Sequence, residues 1–181
     1  LDLLATPAAN LSGQATVTVT VSDGDNSTDA AFLLNVTNEN NNPEILTITP
    51  PVSMTEGTQA SVPFTVRDWD NDTLTLAATV EPADIFSDIR FSGDGVTLDA
   101  NQNYEVPVQS GEEVPITLDV TGAAGQFGEA TVTLTVRDVA NAADPPATRT
   151  FVIDVTNIND PPTIPPIDNR TVDEDSGPHE V

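Results

Sequence analysis

Residues 15–21 read Ala-Thr-Val-Thr-Val-Thr-Val, with apolar side chains at every odd position and threonine between them. Residues 131–136 repeat the pattern as Thr-Val-Thr-Leu-Thr-Val. An alternation of period two predicts a strand with one buried and one wet face. Phe32, Leu34 and Val36 continue it in a following strand, as do their counterparts Phe151, Ile153 and Val155. Further strands are predicted around Val62, Phe64 and Val66, around Leu74 and Leu76, around Val96 and Leu98, and along Val114, Ile116, Leu118 and Val120. Turn-forming clusters such as DWDND, SGDG and SGEE separate them, and no window shows helical spacing of useful length.

The two alternating segments belong to a longer repeat. GQATVTVTVSDG, starting at Gly13, runs on to FLLNVTNENNNPEI; GEATVTLTVRD, starting at Gly128, runs on to FVIDVTNINDPPTI. The glycines are 115 apart (128 − 13) and the closing prolines Pro43 and Pro162 are 119 apart (162 − 43), so the later copy carries four more residues, in the loop NAADPPAT. The chain therefore divides into residues 1–41, the C-terminal part of one unit, residues 42–160, a complete unit, and residues 161–181, the first strand of the next. Both ends read as cuts through a tandem array. About seven short β-branched strands per unit predict an all-β chain of tandem antiparallel β-sandwiches of the immunoglobulin-like kind. Pro43 and the Pro161-Pro162 pair stop each closing strand and leave only short, stiff connections. Neighbouring units are expected to meet end to end.

Charge narrows the functional classes. Against 29 acidic residues stand only Arg67, Arg90, Arg137, Arg149 and Arg170, with no lysine and no cysteine, for a net charge of −24. A surface this negative repels a nucleic-acid backbone and attracts cations. No stretch approaches the roughly 20 apolar residues of a membrane span. The lack of cysteine is compatible with an extracellular location, whereas the general acidity of proteins from saline water would account for the charge without any specific site.

The acidic residues are nevertheless densest where turns meet connections: Glu56, then Asp68, Asp70 and Asp72 in RDWDND, then Asp138, then Asn157, Asn159 and Asp160. At these positions the chain resembles the cadherins. VTNINDPP is similar to their inter-domain linker, Asp68-Trp69-Asp70 to their D-x-D turn, Asp138 to the aspartate between their last two strands, and Glu56 and Glu174 to their first-strand glutamate. The nearest resemblance is to bacterial cadherin-like or immunoglobulin-like tandem repeats of large surface and secreted proteins. It implies calcium at the junctions. Asp68, Asp70 and Asp138 would face back toward Asn40 and Asn41, and Glu56 would face forward toward Asn157, Asn159 and Asp160. Calcium takes six to eight oxygens from carboxylates, amides and backbone carbonyls, which Asn/Asp-rich linkers supply. Two departures from the family stand out: its L-D-R-E element is only partly echoed by Leu98-Asp99-Ala100-Asn101, and Asn41 stands where the second linker has Asp160. Ordinary solvated turns explain the same residues, since Asp and Asn favour turns for local hydrogen-bonding reasons.

Other features carry less. The run from Asp68 opens like an EF-hand loop, but Thr73 replaces its glycine and Thr79 its final glutamate. Trp69 suits a sugar platform less well than packing against a neighbouring unit or linker. Arg67 and Arg137 read as surface charge partners. The single histidine, His179, supports no triad or zinc site, and the sequons at Asn10, Asn26, Asn35, Asn71 and Asn169 are expected in a threonine-rich chain. No nucleophile motif or phosphate loop is present, so no enzymatic role is expected. The sequence predicts a structural segment of a long extracellular bacterial surface protein, calcium-stiffened, with neighbouring repeats and other copies in a layer or filament as its partners. The alternative is a carbohydrate- or protein-binding module. Completion of the half-units by strands donated from another copy is disfavoured, because residues 1–37 and 163–181 together lack everything equivalent to Phe64 through Val114.

Overall fold

The computed structural model describes residues 2–51, 53–141, 143–175 and residue 177. The first alternating segment forms β1 (Gly13–Ser22), which pairs with β2 (Ser27–Val36) as a two-stranded hairpin, from Gly13 opposite Val36 to Ser22 opposite Ser27. Asp23 closes its turn by accepting the backbone N–H groups of Asp25 and Asn26, an arrangement short acidic side chains favour.

Among the described residues from 44 to 156 there are ten strands: β3 (Glu44–Ile48), β4 (Ser53–Thr55), β5 (Gln59–Arg67), β6 (Asp72–Glu81), β7 (Phe86–Gly93), β8 (Thr97–Leu98), β9 (Tyr104–Val108), β10 (Glu113–Gly122), β11 (Gly128–Asp138) and β12 (Ala147–Thr156). One sheet runs β3-β5-β10-β7 and the other β4-β12-β11-β6-β9-β8. Every pairing is antiparallel except that of β4 with β12. The chain is thus all-β. Alternate residues of facing strands fill the space between the sheets: Val62, Phe64 and Val66 of β5 and Ile116, Leu118 and Val120 of β10 meet Val132, Leu134 and Val136 of β11 and Ile153 of β12, all buried. Phe64, Phe91 and Tyr104 add edge-to-face ring contacts with centroids 6.1 and 5.3 Å apart.

Ten strands exceed the seven or eight that period-two reading finds, for three local reasons. The first strand is split: Pro50 and Pro51 cannot donate to a ladder, so β3 ends in one sheet and β4 starts in the other, with Glu56 just beyond β4 rather than inside it. In β7 the register against β10 shifts at Thr121/Gly122, so its inward residues Phe86 and Phe91 fall on opposite parities. β9 is short and contains Pro107. Phe151, expected in the core, is only half-buried, because β4 flanks β12 at Asp154–Thr156 alone and leaves the strand open beside Phe151. Residues 161–175 carry no strand: β3 and β4 form by pairing to β5 and β12, and the equivalent tail segment has no such neighbour among the described residues. His179 lies outside the described residues.

Leu134→Ala is expected to destabilise the unit by about 2–5 kcal/mol, whereas Phe32→Ala in the hairpin should leave the same transition within about 0.5 kcal/mol of wild type. Urea unfolding followed by Trp69 fluorescence measures both, and a Leu134→Ala loss under about 1 kcal/mol would show that the inward face is misassigned.

Candidate functional site

Three strands carry their inward parity one step too far, and each time the extra step is an aspartate. Val62, Phe64 and Val66 of β5 are followed on the same parity by Asp68; Leu76 and Leu74 of β6 are preceded by Asp72; Val132, Leu134 and Val136 of β11 end at Asp138. Because β11 pairs with β6 through Asp138 opposite Leu74, the carboxylates gather at one end of the sandwich. Asp68 is 0% exposed, Asp138 3% and Asp70 6%.

Their oxygens divide into two kinds. Asp70 is occupied by the connection from the hairpin: it accepts the Asn38 side-chain amide at 2.7 Å on Oδ1, and the Asn41 backbone N–H at 2.5 Å and side-chain amide at 3.4 Å on Oδ2. Asp68 Oδ1 accepts the Asp70 N–H at 3.0 Å, and Asp138 Oδ1 the Ala140 N–H at 2.6 Å. Asp68 Oδ2, Asp138 Oδ2 and both oxygens of Asp72 are buried with no donor. Asp72 and Asp138 stand within hydrogen-bonding reach of one another, but two ionised carboxylates have no hydrogen between them; only a proton or a cation can join them.

The turn is fastened from the β9–β10 side. Gly111 donates its N–H to the Asp68 carbonyl at 2.7 Å, Ser110 Oγ to the Trp69 carbonyl at 2.5 Å, and the Ser110 N–H to Asn71 Oδ1 at 3.0 Å. Gly111 has φ +73°, and a Cβ there would lie 2.8 Å from Trp69 Cζ3. The Arg67 guanidinium lies 4.9 Å from the centre of the same indole and reaches Glu44 at 2.7 Å and Glu113 at 3.5 Å. Trp69 therefore packs on its own unit while bordering a cavity of about 530 Å³ shared with Asn38, Asn40, Asp70 and Asp72.

Not every expected residue joins this cluster. Asn40 turns to Asp144 at 3.2 Å and to the Asn41 carbonyl. At the opposite end Glu56 is 4% exposed and accepts the N–H groups of Gly125 and, at 2.7 Å, Ile158, while its own N–H donates to the Thr156 carbonyl. Glu56 thus meets the second connection through its backbone. Asn157, Asn159 and Asp160 are exposed, and Asn159 reaches only the Asp160 carbonyl at 3.4 Å among the described contacts. Asp72 is the functional candidate that motif matching passes over; its signal is parity with Leu74 and Leu76.

A hard cation fits this donor set in chemistry, since four buried carboxylate oxygens lack partners. The side chains as they stand form no finished cage: among the described residues no three acidic or histidine groups are arranged around one ion position. The fit rests on the unpartnered oxygens, not on completed coordination.

No protein-family model matches the chain, and no curated protein matches it by sequence. Solved structures do. Domains 4 and 5 of the S-layer protein SbsC share 17% identity over 80% of this chain and 58% of that one, with a TM-score of 0.38. AggA, the major subunit of aggregative adherence fimbriae type I from Escherichia coli, shares 16% over 66% and 98%, at 0.40. A family 123 glycoside hydrolase from Clostridium perfringens shares 13% over 60% and 23%, at 0.42. The chain thus spans under two thirds of the SbsC fragment and about a quarter of the hydrolase.

Burial pushes the Asp72 carboxyl up to about 7, helped by the charges of Asp68, Asp138 and Asp70 and by the hydrogen bond with Asp138. Burial also raises Asp68, against the backbone N–H groups that lower it. The unfolded Asp72 titrates near 3.8, so the folded chain keeps a proton that the unfolded chain releases. This contribution to stability is full below about pH 3.8 and is lost as pH rises to about 7. In the absence of divalent cations, wild type should therefore lose stability relative to Asp72→Asn as pH rises from 4 to 8. Parallel stability curves for the two proteins would contradict this placement of Asp72.

Proposed function

We propose that the chain is a structural segment of an extracellular surface protein, in which β-sandwich units follow one another and a calcium ion at the junction holds successive units in line. The observation that carries this reading is the set of buried, unpartnered oxygens of Asp68, Asp72 and Asp138 at the end of the unit that receives the connection from the hairpin. Asp68, Asp72 and Asp138 would hold the ion. Asp70 would bind the connection through Asn38 and Asn41, and the neighbouring cavity would admit the remaining water or amide ligands. Bound calcium neutralises mutual repulsion among the carboxylates, which otherwise opposes the compact junction.

In this reading residues 1–41 are the closing part of a preceding unit and residues 161–181 the opening of a following one, so the chain serves as a rod or an assembly element. Glu56 would play the matching part at the far end by tethering the second connection at Ile158. A sugar-binding role for Trp69 is less well supported, because Arg67 lies over its ring and Gly111 presses against it.

Calcium that binds only the folded chain stabilises it by mass action. Millimolar calcium should raise the melting temperature, and excess EDTA should reverse the rise. Asp68→Asn and Asp138→Asn should each weaken the response, and terbium should show luminescence sensitised by Trp69 that calcium displaces. Superimposable melting curves in calcium and in EDTA, with no sensitised terbium emission, would remove calcium from the account.

A further inference from the structure

The connection from the hairpin meets the sandwich through nitrogen. The Asn38 amide donates to Asp70 Oδ1 at 2.7 Å, the Asn41 backbone N–H and side-chain amide donate to Asp70 Oδ2 at 2.5 and 3.4 Å, and the Asn40 amide donates to Asp144 Oδ2 at 3.2 Å. Asp70 is 6% exposed, so these three N–H groups supply what water does not. An asparagine serves a cation through its carbonyl oxygen, and a backbone N–H cannot serve one at all. The side of Asp70 that meets the connection is therefore lined with hydrogens, and an ion placed there would lie against the positive ends of N–H dipoles. The buried oxygens without donors belong instead to Asp68, Asp72 and Asp138.

The repeat supplies a contrast. Asn38-Glu39-Asn40-Asn41 corresponds to Asn157-Ile158-Asn159-Asp160, and of the two positions that differ, 41 is the one in contact with Asp70. An aspartate at 41 would set a second carboxylate where the Asn41 amide now lies 3.4 Å from Asp70 Oδ2. Two ionised carboxylates at that range repel, and a shared cation relieves the repulsion.

We infer that Asn38 and Asn41 dock the connection onto Asp70 without a cation, and that the side chain at position 41 determines this: asparagine gives an amide latch, aspartate a docking that depends on a divalent cation. The connection then stays attached when such cations are scarce, while calcium among Asp68, Asp72 and Asp138 acts on the end of the sandwich itself. Calcium in wild type rests on the function proposed above; the amide latch does not.

Amide nitrogen relaxation by NMR and amide exchange, measured on the whole chain in excess EDTA, test it. In wild type the order parameters of residues 38–41 should match those of the strands, about 0.85. The Asn41 N–H should exchange about 10–100-fold slower than an open amide, the worth of one hydrogen bond to a charged group. Millimolar calcium should leave the wild-type connection equally ordered. Asn41→Asp should drop residues 38–41 below about 0.6 in EDTA and return to the wild-type value in calcium. Asn41→Ala removes the amide without adding a charge and keeps the backbone N–H, so it should stay ordered in EDTA and gain nothing from calcium. Trp69 fluorescence unfolding should confirm that the sandwich is intact in both variants. A wild-type connection that is mobile in EDTA and ordered only by calcium overturns the latch and leaves the calcium reading in place. Asn41→Asp as ordered as wild type in EDTA, or still mobile in calcium, overturns the role of position 41. Wild-type melting unmoved by calcium, with Asn41→Asp still rescued by it, removes calcium from the native junction and leaves the latch standing.

Discussion

At one end of the sandwich the apolar core gives way to carboxylates, and the connection from the hairpin meets the sandwich there. The alternation that buries Val66, Leu74 and Val136 also carries Asp68, Asp72 and Asp138 inward, because parity, once set by the core, fixes the side on which the next residue of a strand must point. Removing a carboxylate from water costs several kcal/mol, and neighbouring charges of the same sign add to that cost. A proton on Asp72 relieves part of that cost, and the raised titration of Asp72 is its signature. Asp68 and Asp138 each recover part of it by accepting the N–H two residues on, of Asp70 and Ala140, while Asp68 Oδ2, Asp138 Oδ2 and both Asp72 oxygens recover none.

The same end receives the preceding connection. Asp70 accepts two amides of Asn41 and one of Asn38, which ties residues 38–41 to the turn that also presents Asp68. Trp69 lies between Arg67 and Gly111, and Ser110 and Gly111 fasten the turn by donating to the Trp69 and Asp68 carbonyls. Glu56 tethers the opposite connection by a different device, accepting backbone N–H groups from Gly125 and Ile158. The two ends of the sandwich are therefore unlike: one collects several carboxylates, the other holds its connection with a single buried one.

Much of this was legible in the sequence because parity and repetition are local signals. The strict alternation in β1, β11 and β10 located strands and inward faces, and the offset between Gly13 and Gly128 located the hairpin that matches β11–β12. What escaped had non-local causes. β7 was hidden by its bulge against β10, and Phe151 was left half-buried because β4 is too short to flank it. Motif matching selected Asp68, Asp70 and Asp138 but omitted Asp72, whose role follows from Leu74 and Leu76 rather than from a pattern of acids. Asn40 and Asn41 take different partners: Asn41 donates to Asp70, while Asn40, on the same cavity, donates to Asp144 of the β11–β12 loop. Asn157, Asn159 and Asp160 have a composition like that of the first connection and are exposed, and Glu56 meets this connection at the Ile158 N–H.

The central claim is that one group of oxygens exchanges a proton for a cation. Calorimetric titration of calcium near pH 6.5, repeated in buffers of different ionisation enthalpy, measures that exchange directly, since ligands must lose their protons to bind metal. With Asp72 held near 7 in the free protein, binding should release about three-quarters of a proton per ion at this pH, falling toward none above about pH 8.5 and in Asp72→Asn. Calcium binding with no buffer-dependent heat at pH 6.5, or no binding heat at any pH, would contradict the account.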